Sequence, residues 1–388
     1  MPQLTLIPWA IVFLGVGVAV LAWIGVSVWR RSGQNGSLPQ PLTSIASLTK
    51  AHGFSEADYY KIDPLEDLNL ENEEPLKLRP FKAKYYLTMA IENITANDLI
   101  VMDKTYSSRI ALRRQLIRDH LSEVLAWNPI STPAVVELYT YLTATYLPHR
   151  FPTLYTLHEK GLLNHITGEL LPICPSSTEQ ALRILGENID DEFLFLLPAQ
   201  SESPEENGKY RLEAFITCFP SGFSTRQKLG LKLADIHTPV PGYAARLEKS
   251  MDRFFATLPV GKMVKRQNWS ITTDKRLFAI TGNHMYEDEH ALRGESKEKE
   301  MVNLRETVMR CERQTVHRLP KTGAVVFAFK TYQYGIEELR DEGVGEELAT
   351  AIDGLGEGNV PEILVYKRQV VWGEKVKKFL RGEISVDD

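Results

Sequence analysis

Between Leu4 and Trp29 the chain carries no charged residue. Such a run is long enough to cross a bilayer core with some tilt, and it cannot share one water-facing fold with the charged remainder. The basic pair Arg30-Arg31 follows the apolar stretch, whereas a secretory signal places its basic residues first. Trp9, Trp23 and Trp29 suit the membrane interface. The positive-inside rule then keeps everything after Arg31 on the cytosolic side. The expectation is a single-pass anchor at 1–31 in the endoplasmic reticulum or another intracellular membrane, with a cytosolic body. Only a cleaved leader would expose the sequons at Asn35, Asn93 and Asn268 to glycosylation.

The body behind that segment is large enough for a substantial core: the whole chain has 388 residues and a formal net charge of −5. A mildly acidic chain lacks the basic footprint of a nucleic-acid binder, so no nucleic-acid partner is expected. Cys174, Cys218 and Cys311 are few, odd in number and far apart. They support neither a disulfide framework nor a four-cysteine iron–sulfur cluster.

Residues 32–75 are polar and interrupted by Gly and Pro, as in a linker. From Phe81 to Leu147 the pattern is mainly helical. Ile110 to Val124 mixes apolar residues with Arg113, Arg114 and Arg118, as an amphipathic surface helix would. A second helix is predicted over Pro133–Tyr146, closed by Pro148. Phe193–Leu197, Tyr210–Phe219, Asn268–Thr273 and Gly323–Tyr332 are rich in β-branched and aromatic residues and read as strands. Helices are predicted over Arg226–Ile236, Tyr243–Leu258 and Glu300–Glu312. The order fits an α+β fold in which an antiparallel sheet is flanked by helices. A basic tail helix from Gly373 closes the chain, within an expected C-terminal extension at 341–388.

Several segments carry chemistry-bearing residues. In Ile236-His-Thr-Pro-Val-Pro-Gly242, His237 ends a helical stretch just before two prolines that stiffen the exit. A histidine so held suits an axial metal ligand, and equally one that caps carbonyls or packs under a turn. Lys265-Arg-Gln-Asn-Trp-Ser270 and Cys311-Glu-Arg-Gln-Thr315 place charges at strand entrances, as rim residues or as groups aimed into a pocket. His149-Arg-Phe-Pro152 offers Arg150 to an anion or merely starts a turn. Asp190-Asp191-Glu192 reads as an exposed turn, and His284 and His290 as solvated in an acidic loop. Gly354-Leu-Gly-Glu-Gly358 lacks the strand-then-helix setting of a dinucleotide loop. No P-loop, nucleophile elbow or H-E-x-x-H motif is present.

Taken in order, these segments resemble the α subunit of haem-dependent oxidative N-demethylase and its fungal relatives, the HRQ family proteins. The matching pieces run from Leu87-Thr-Met-Ala-Ile through Tyr146-Leu-Pro-His-Arg-Phe-Pro152, Ile189-Asp-Asp-Glu-Phe-Leu-Phe-Leu-Leu197 and Ile236-His-Thr-Pro-Val-Pro-Gly242. They continue with Arg266-Gln-Asn-Trp269 and with Glu312-Arg-Gln-Thr315 before Leu319-Pro-Lys-Thr-Gly-Ala-Val-Val-Phe. The resemblance implies a PAS-like domain at 76–340 that binds haem b, with iron held by His237. It implies Arg266 and Arg150 for the propionates, with Asn268 and Trp269 shaping the pocket. Glu312 is the implied anion for an amine substrate, with Arg313 and Thr315 positioning oxygen. The implied reaction is oxidation by dioxygen of a carbon next to an amine nitrogen, releasing an aldehyde. Electrons must come from a separate reductase, because this chain has neither the cysteines nor the nucleotide loop for that role. The alternative is a non-catalytic, haem- and gas-sensing PAS-like protein.

Overall fold

The structure is a computed structural model and describes residues 53–200, 203, 205–286 and 301–388. The expected membrane anchor lies outside the described residues. Among those described, no helix is long and apolar enough to cross a membrane.

Among the described residues, ten strands form two sheets. They are β1 (Glu92–Ile94), β2 (Leu125–Trp127), β3 (Tyr155–His158), β4 (Gly161–Asn164), β5 (Glu169–Leu171), β6 (Glu192–Pro198), β7 (Tyr210–Ile216), β8 (Met263–Thr272), β9 (Val308–Arg318) and β10 (Val325–Gly335). The large sheet has the order β1-β8-β9-β10-β6-β7-β2, with every pair antiparallel. Strands β3, β4 and β5 form a separate three-stranded meander. The α+β expectation of an antiparallel sheet flanked by helices holds.

Seven helices frame the cores and the site: α1 (Tyr106–Val124), α2 (Thr132–Tyr141), α3 (Thr178–Asn188), α4 (Leu233–His237), α5 (Glu248–Thr257), α6 (Gly345–Asp353) and α7 (Gln369–Leu380). The first three join one core, in which Ile117, Val135, Leu138 and Leu185 pack around Phe193 and Ile216. A second core gathers Met251 and Phe255 of α5, Leu348 and Ile352 of α6, and Trp372, Val376 and Phe379 of α7. Residues 341–388 are thus built into the second core. The expected linker is also packed in its last part: Tyr59 is buried, and the Tyr141 hydroxyl donates to its carbonyl at 3.0 Å. All described residues fall in one compact unit, Ser47–Asp388.

Several local expectations are corrected. The stretch Arg226–Ile236 is not one helix. A 3-10 turn at Arg226–Lys228 gives way at Gly230, whose φ of +81° only glycine adopts cheaply, and α4 begins at Leu233. Glu300–Glu312 is not helical where it is described; residues from Val308 onward form β9, a central strand. The helix after Thr132 does not close at Pro148. A π-helical turn at Leu142–Tyr146 lets the chain run on into Leu147–Arg150, with Pro148 in the first turn where its missing N–H is tolerated. Arg113 is not on a surface face: it is fully buried.

Gly354 and Gly358 also receive an explanation. A Cβ on Gly354 would lie 2.2 Å from the Ala83 carbonyl oxygen, and one on Gly358 only 1.4 Å from that of Tyr85. These glycines let two backbones touch and have nothing to do with a nucleotide.

Candidate functional site

Strand geometry divides the conspicuous side chains, because successive residues point to opposite faces of a sheet. On β8 and β9 the register sets Arg266 opposite Gln314 and Asn268 opposite Glu312, so these four share one face. Leu194, Phe327, Val316 and Val264 form a cross-strand row on the same face. Arg313 stands opposite Lys330 and Thr315 opposite Ala328, on the other face. Trp269, opposite Cys311, joins them there. The implied trio Glu312, Arg313 and Thr315 is therefore split: the structure does not bring it together. Burial follows the split only in part, since Val264 and Val316 of the first face are buried as well. Arg313, Thr315 and Lys330 are buried, whereas Glu312, Gln314, Arg266, Asn268, Phe327 and Leu194 are only half-buried.

Helix α4 lies over the half-covered face, where Ile236 and Leu229 pack with Leu194 and Phe215. At its end, His237 Nδ1 is 2.7 Å from the Leu233 carbonyl oxygen. A carbonyl only accepts, so Nδ1 carries the proton and donates, which leaves Nε2 with its lone pair. Among the described residues Nε2 makes no hydrogen bond. The ring stacks on Tyr243 with centroids 4.7 Å apart and planes 12° from parallel. Burial lowers the His237 pKa to about 4, and the nearby cations Lys228 and Arg266 push the same way. At neutral pH the imidazole is thus uncharged. The Pro-Val-Pro exit and Gly242 (φ +73°) turn the chain from this ring into the short helix Tyr243–Arg246.

Around this ring the polar groups are unevenly paired. The Arg266 guanidinium makes no hydrogen bond or ion pair among the described residues, and its Nε is sealed from solvent without a partner. Burial lowers its pKa, against the pull of Tyr85 and Glu312. The Glu312 carboxylate is engaged only by Gln314, whose side-chain amide donates to it at 2.9 Å. Lys367 is buried and lowered to about 8 by that burial. It donates to the Trp269 carbonyl, and to Asn268 Oδ1 at 3.4 Å. His284, expected in a solvated loop, is instead set against Tyr366 with ring centroids 4.5 Å apart, and burial lowers it to about 3. His290 lies outside the described residues.

Two further expectations are corrected. Arg150 is absent from this cluster: its Nη1 donates to the Asp63 carbonyl at 2.6 Å, at the N-terminal part of the fold. Asp190-Asp191-Glu192 is not an exposed turn, for all three are buried. Glu192 Oε1 pairs with Arg113 at 2.5 Å. Lys330 bridges Asp103 at 2.7 Å and Asp190 at 3.5 Å. Asp191 is raised to about 8, chiefly by burial, and its Oδ2 finds no hydrogen bond. The sequence signal for this network was weak: only an acidic triplet beside a strand, with its cations 79 and more residues away.

A cleft of about 860 Å³ borders the same turn, lined by Asp235, Val240, Tyr243, Glu248, Glu362 and Tyr366 among others. His237, Arg266 and Glu312 are not among its lining residues. No group of three or more His, Cys, Asp or Glu side chains among the described residues could hold a metal ion by itself. A porphyrin iron needs only one axial side chain, so this does not bear on haem.

One comparison gives the family. A family model described as haem-dependent oxidative N-demethylase, alpha subunit-like, matches residues 90–377. The chain belongs to that family. The matched span covers β1 to most of α7 and so includes His237, Arg266, Glu312 and Lys367 on the half-covered side of the sheet. It also takes in most of the helices of the expected C-terminal extension at 341–388.

The residues present fit a haem. A neutral imidazole with one nitrogen tied to a carbonyl and the other free is the form in which histidine binds iron. Leu194 and Phe327 pair across strands as an apolar surface on the face that also carries Arg266, a guanidinium in need of an anion.

Proposed function

We propose that this chain is the haem-binding subunit of a monooxygenase that performs oxidative N-dealkylation of an amine. The observation that carries the reading is His237: uncharged, oriented by the Leu233 carbonyl, and with Nε2 unpartnered among the described residues. His237 would hold haem b through that nitrogen, and Arg266 would meet a propionate. Bound haem supplies the oxygen-activating chemistry. Everything else is asked of the chain's own side chains.

Glu312 is a carboxylate on the same face as Arg266, and it has no cation within ion-pairing distance among the described residues. It provides the anion that a protonated amine requires beside an apolar surface. Asn268, directly opposite, fixes the local geometry together with Lys367. Arg313, Thr315 and Trp269 act from behind the sheet as positioning groups and do not touch substrate. In the net reaction an N-methyl amine and dioxygen, with two electrons and two protons, give the shorter amine, an aldehyde and water. The electrons come from a separate reductase. The order β8-β9-β10-β6-β7, with helical chain inserted between β7 and β8, supports a PAS-like core. The apolar run at 4–29 supports a membrane tether beside that reductase.

One observation favours the gas-sensor alternative: only Glu312 of the three expected catalytic side chains shares a face with Arg266. A single experiment separates the readings. The full chain, expressed with ample haem, should show a Soret band that His237→Ala abolishes. With a flavin-dependent reductase, oxygen and methylated amines it should release aldehyde. A colourless wild-type protein would sink both readings, and a coloured one that forms no aldehyde from any amine leaves the sensor.

A further inference from the structure

The cleft beside the His237 turn is lined by charge of one sign. Asp235, Glu248 and Glu362 stand in its wall, and no described Lys, Arg or His lines it. Asp235 and Glu248 lie 4.0 and 3.8 Å from Lys232 and Lys209, at the outer limit of an ion pair. Glu362 is exposed and makes no ion pair among the described residues. The rest of the wall is aromatic and apolar, with Tyr243, Tyr286 and Tyr366 beside Met285 and the Pro-Val-Pro exit. The Tyr286 and Tyr366 rings have centroids 6.4 Å apart and planes at 58°, so they form a corner. Glu362 and Tyr366 are one helical turn apart, the Tyr366 amide donating to the Glu362 carbonyl at 3.1 Å, and so share a side of that turn. Tyr243 is only 2% exposed, and its hydroxyl is sealed from solvent with no hydrogen-bond partner among the described residues. Buried hydroxyls are normally satisfied, so an unpartnered one in the wall of a cleft points to a ligand.

These properties select among ligands. An anion would meet three carboxylates and no cation. A metal ion needs side chains that converge on it, and no group of three such side chains among the described residues does so. An uncharged apolar molecule would strip water from the carboxylates and return nothing. A cation whose charge is spread over methyl or methylene groups avoids all three penalties. Aromatic faces attract it, the proline and methionine walls suit its apolar groups, and the carboxylates supply the counter-charge. The cleft, at about 860 Å³, has room for a body well beyond the ammonium head.

We propose that this cleft is a binding site for an organic ammonium ion with an apolar body, its head held by Glu362 and the corner of Tyr286 and Tyr366. The site shares no lining residue with the Arg266 and Glu312 face, and it does not rest on the haem reading. Tyr243 links it to the imidazole, because that ring both lines the cleft and stacks on His237 with centroids 4.7 Å apart.

The test titrates the full chain, without cofactor and with isotope-labelled histidines, at constant ionic strength. Binding is read from the His237 ring signal by NMR, assigned by its loss in His237→Gln. Choline should bind about 10-fold more tightly than dimethylbutanol, its uncharged carbon isostere. Exchanging one methyl of choline for benzyl should tighten binding about 10-fold further, through the apolar area buried. Both ammonium ions should move the His237 signal and leave that of His317, which packs against Tyr59 in the core, in place. Glu362→Gln should weaken choline binding about 5-fold. Tyr243→Phe keeps the ring and should weaken it about 3-fold. Glu347→Gln makes the same change of charge at an exposed position of α6 and should have no effect. Equal affinity for choline and the alcohol would overturn the site. So would binding that ignores both Glu362→Gln and Tyr243→Phe, or that leaves the His237 signal unmoved. None of these results touches the haem reading, which the Soret band decides.

Discussion

Glu312 and Arg313 are neighbours in the chain and lie on opposite faces of the same sheet. Glu312 stands opposite Asn268, and Arg313 opposite Lys330 in the buried network behind. One residue is therefore available to a ligand, whereas the other belongs to the core, its guanidinium bonded to the Asp98 carbonyl. Glu312→Gln should change unfolding free energy by less than about 1 kcal/mol. Arg313→Met should cost roughly 2–4 kcal/mol, because it strands the Asp98 carbonyl and removes a buried guanidinium beside Asp191. Denaturant unfolding of both variants without cofactor checks this. Equal costs would mean that the faces are wrongly assigned.

Arg113 and Glu192 form an ion pair with essentially no exposed surface. Arg113 Nε also donates to the Gly186 carbonyl and its Nη2 to the Asp191 carbonyl, both at 2.8 Å. Glu192 Oε2 in turn accepts from the Cys218 amide at 2.6 Å. Removing one partner leaves the other buried and uncompensated. Arg113→Met alone should cost about 3–5 kcal/mol, and the Arg113→Met, Glu192→Gln double variant clearly less than the two single costs summed. A double-mutant cycle by thermal melting measures that coupling. Strict additivity would show that the pair is not coupled.

His237 should make stability depend on acid. Its folded-state pKa of about 4 lies below the ordinary 6.5. Between those values the unfolded chain binds a proton that the folded chain refuses. The contribution is therefore complete above pH 6.5 and is lost as pH falls towards 4. In the cofactor-free protein, His237→Gln should flatten the drop in unfolding free energy between pH 7 and pH 5 by roughly 1 kcal/mol. Parallel pH profiles for wild type and variant would contradict the burial of this ring.

Asp191 works in the opposite sense. Burial raises it to about 8, so the folded chain holds a proton that the unfolded chain releases near pH 4. Stability from this group is complete below pH 4 and is lost as pH rises towards 8. Asp191→Asn keeps the shape and removes the titration. It should gain at least about 1 kcal/mol over wild type at pH 8, and nothing at pH 4. A variant that is less stable than wild type at pH 8 would show that the carboxylate is ionised and needed by Lys330.

How far the site could be read from the chain is clearest on β9. Its alternation is masked by Arg310, Glu312, Arg313, Gln314, His317 and Arg318, which look like a helix or a solvated rim. Most partners of the arginines among them lie far away in sequence. Arg310 donates to the Phe219 carbonyl at 2.7 Å and to that of Leu277 at 3.0 Å. Arg318 reaches the Leu258 carbonyl at 2.6 Å and the Tyr210 hydroxyl at 2.7 Å. A charged residue is read as exposed until its buried partner is known, and no local window contains that partner.

Local chemistry was enough for other features. Apolar β-branched runs dictated β6, β7 and β10, because such side chains pack on a pleated surface in almost any context. Two prolines after His237 determined that the ring ends a short helix, since proline cannot continue one. Motif order was sufficient to indicate the family. Tertiary structure alone decided which residues meet. It placed Arg313 and Thr315 behind the sheet, moved Arg150 to Asp63, drew Asp190, Asp191 and Glu192 into the core, and left Arg266 without a partner among the described residues. The reason is the two-residue period of a strand: register and sheet order, which depend on contacts across hundreds of residues, select the face that each side chain serves.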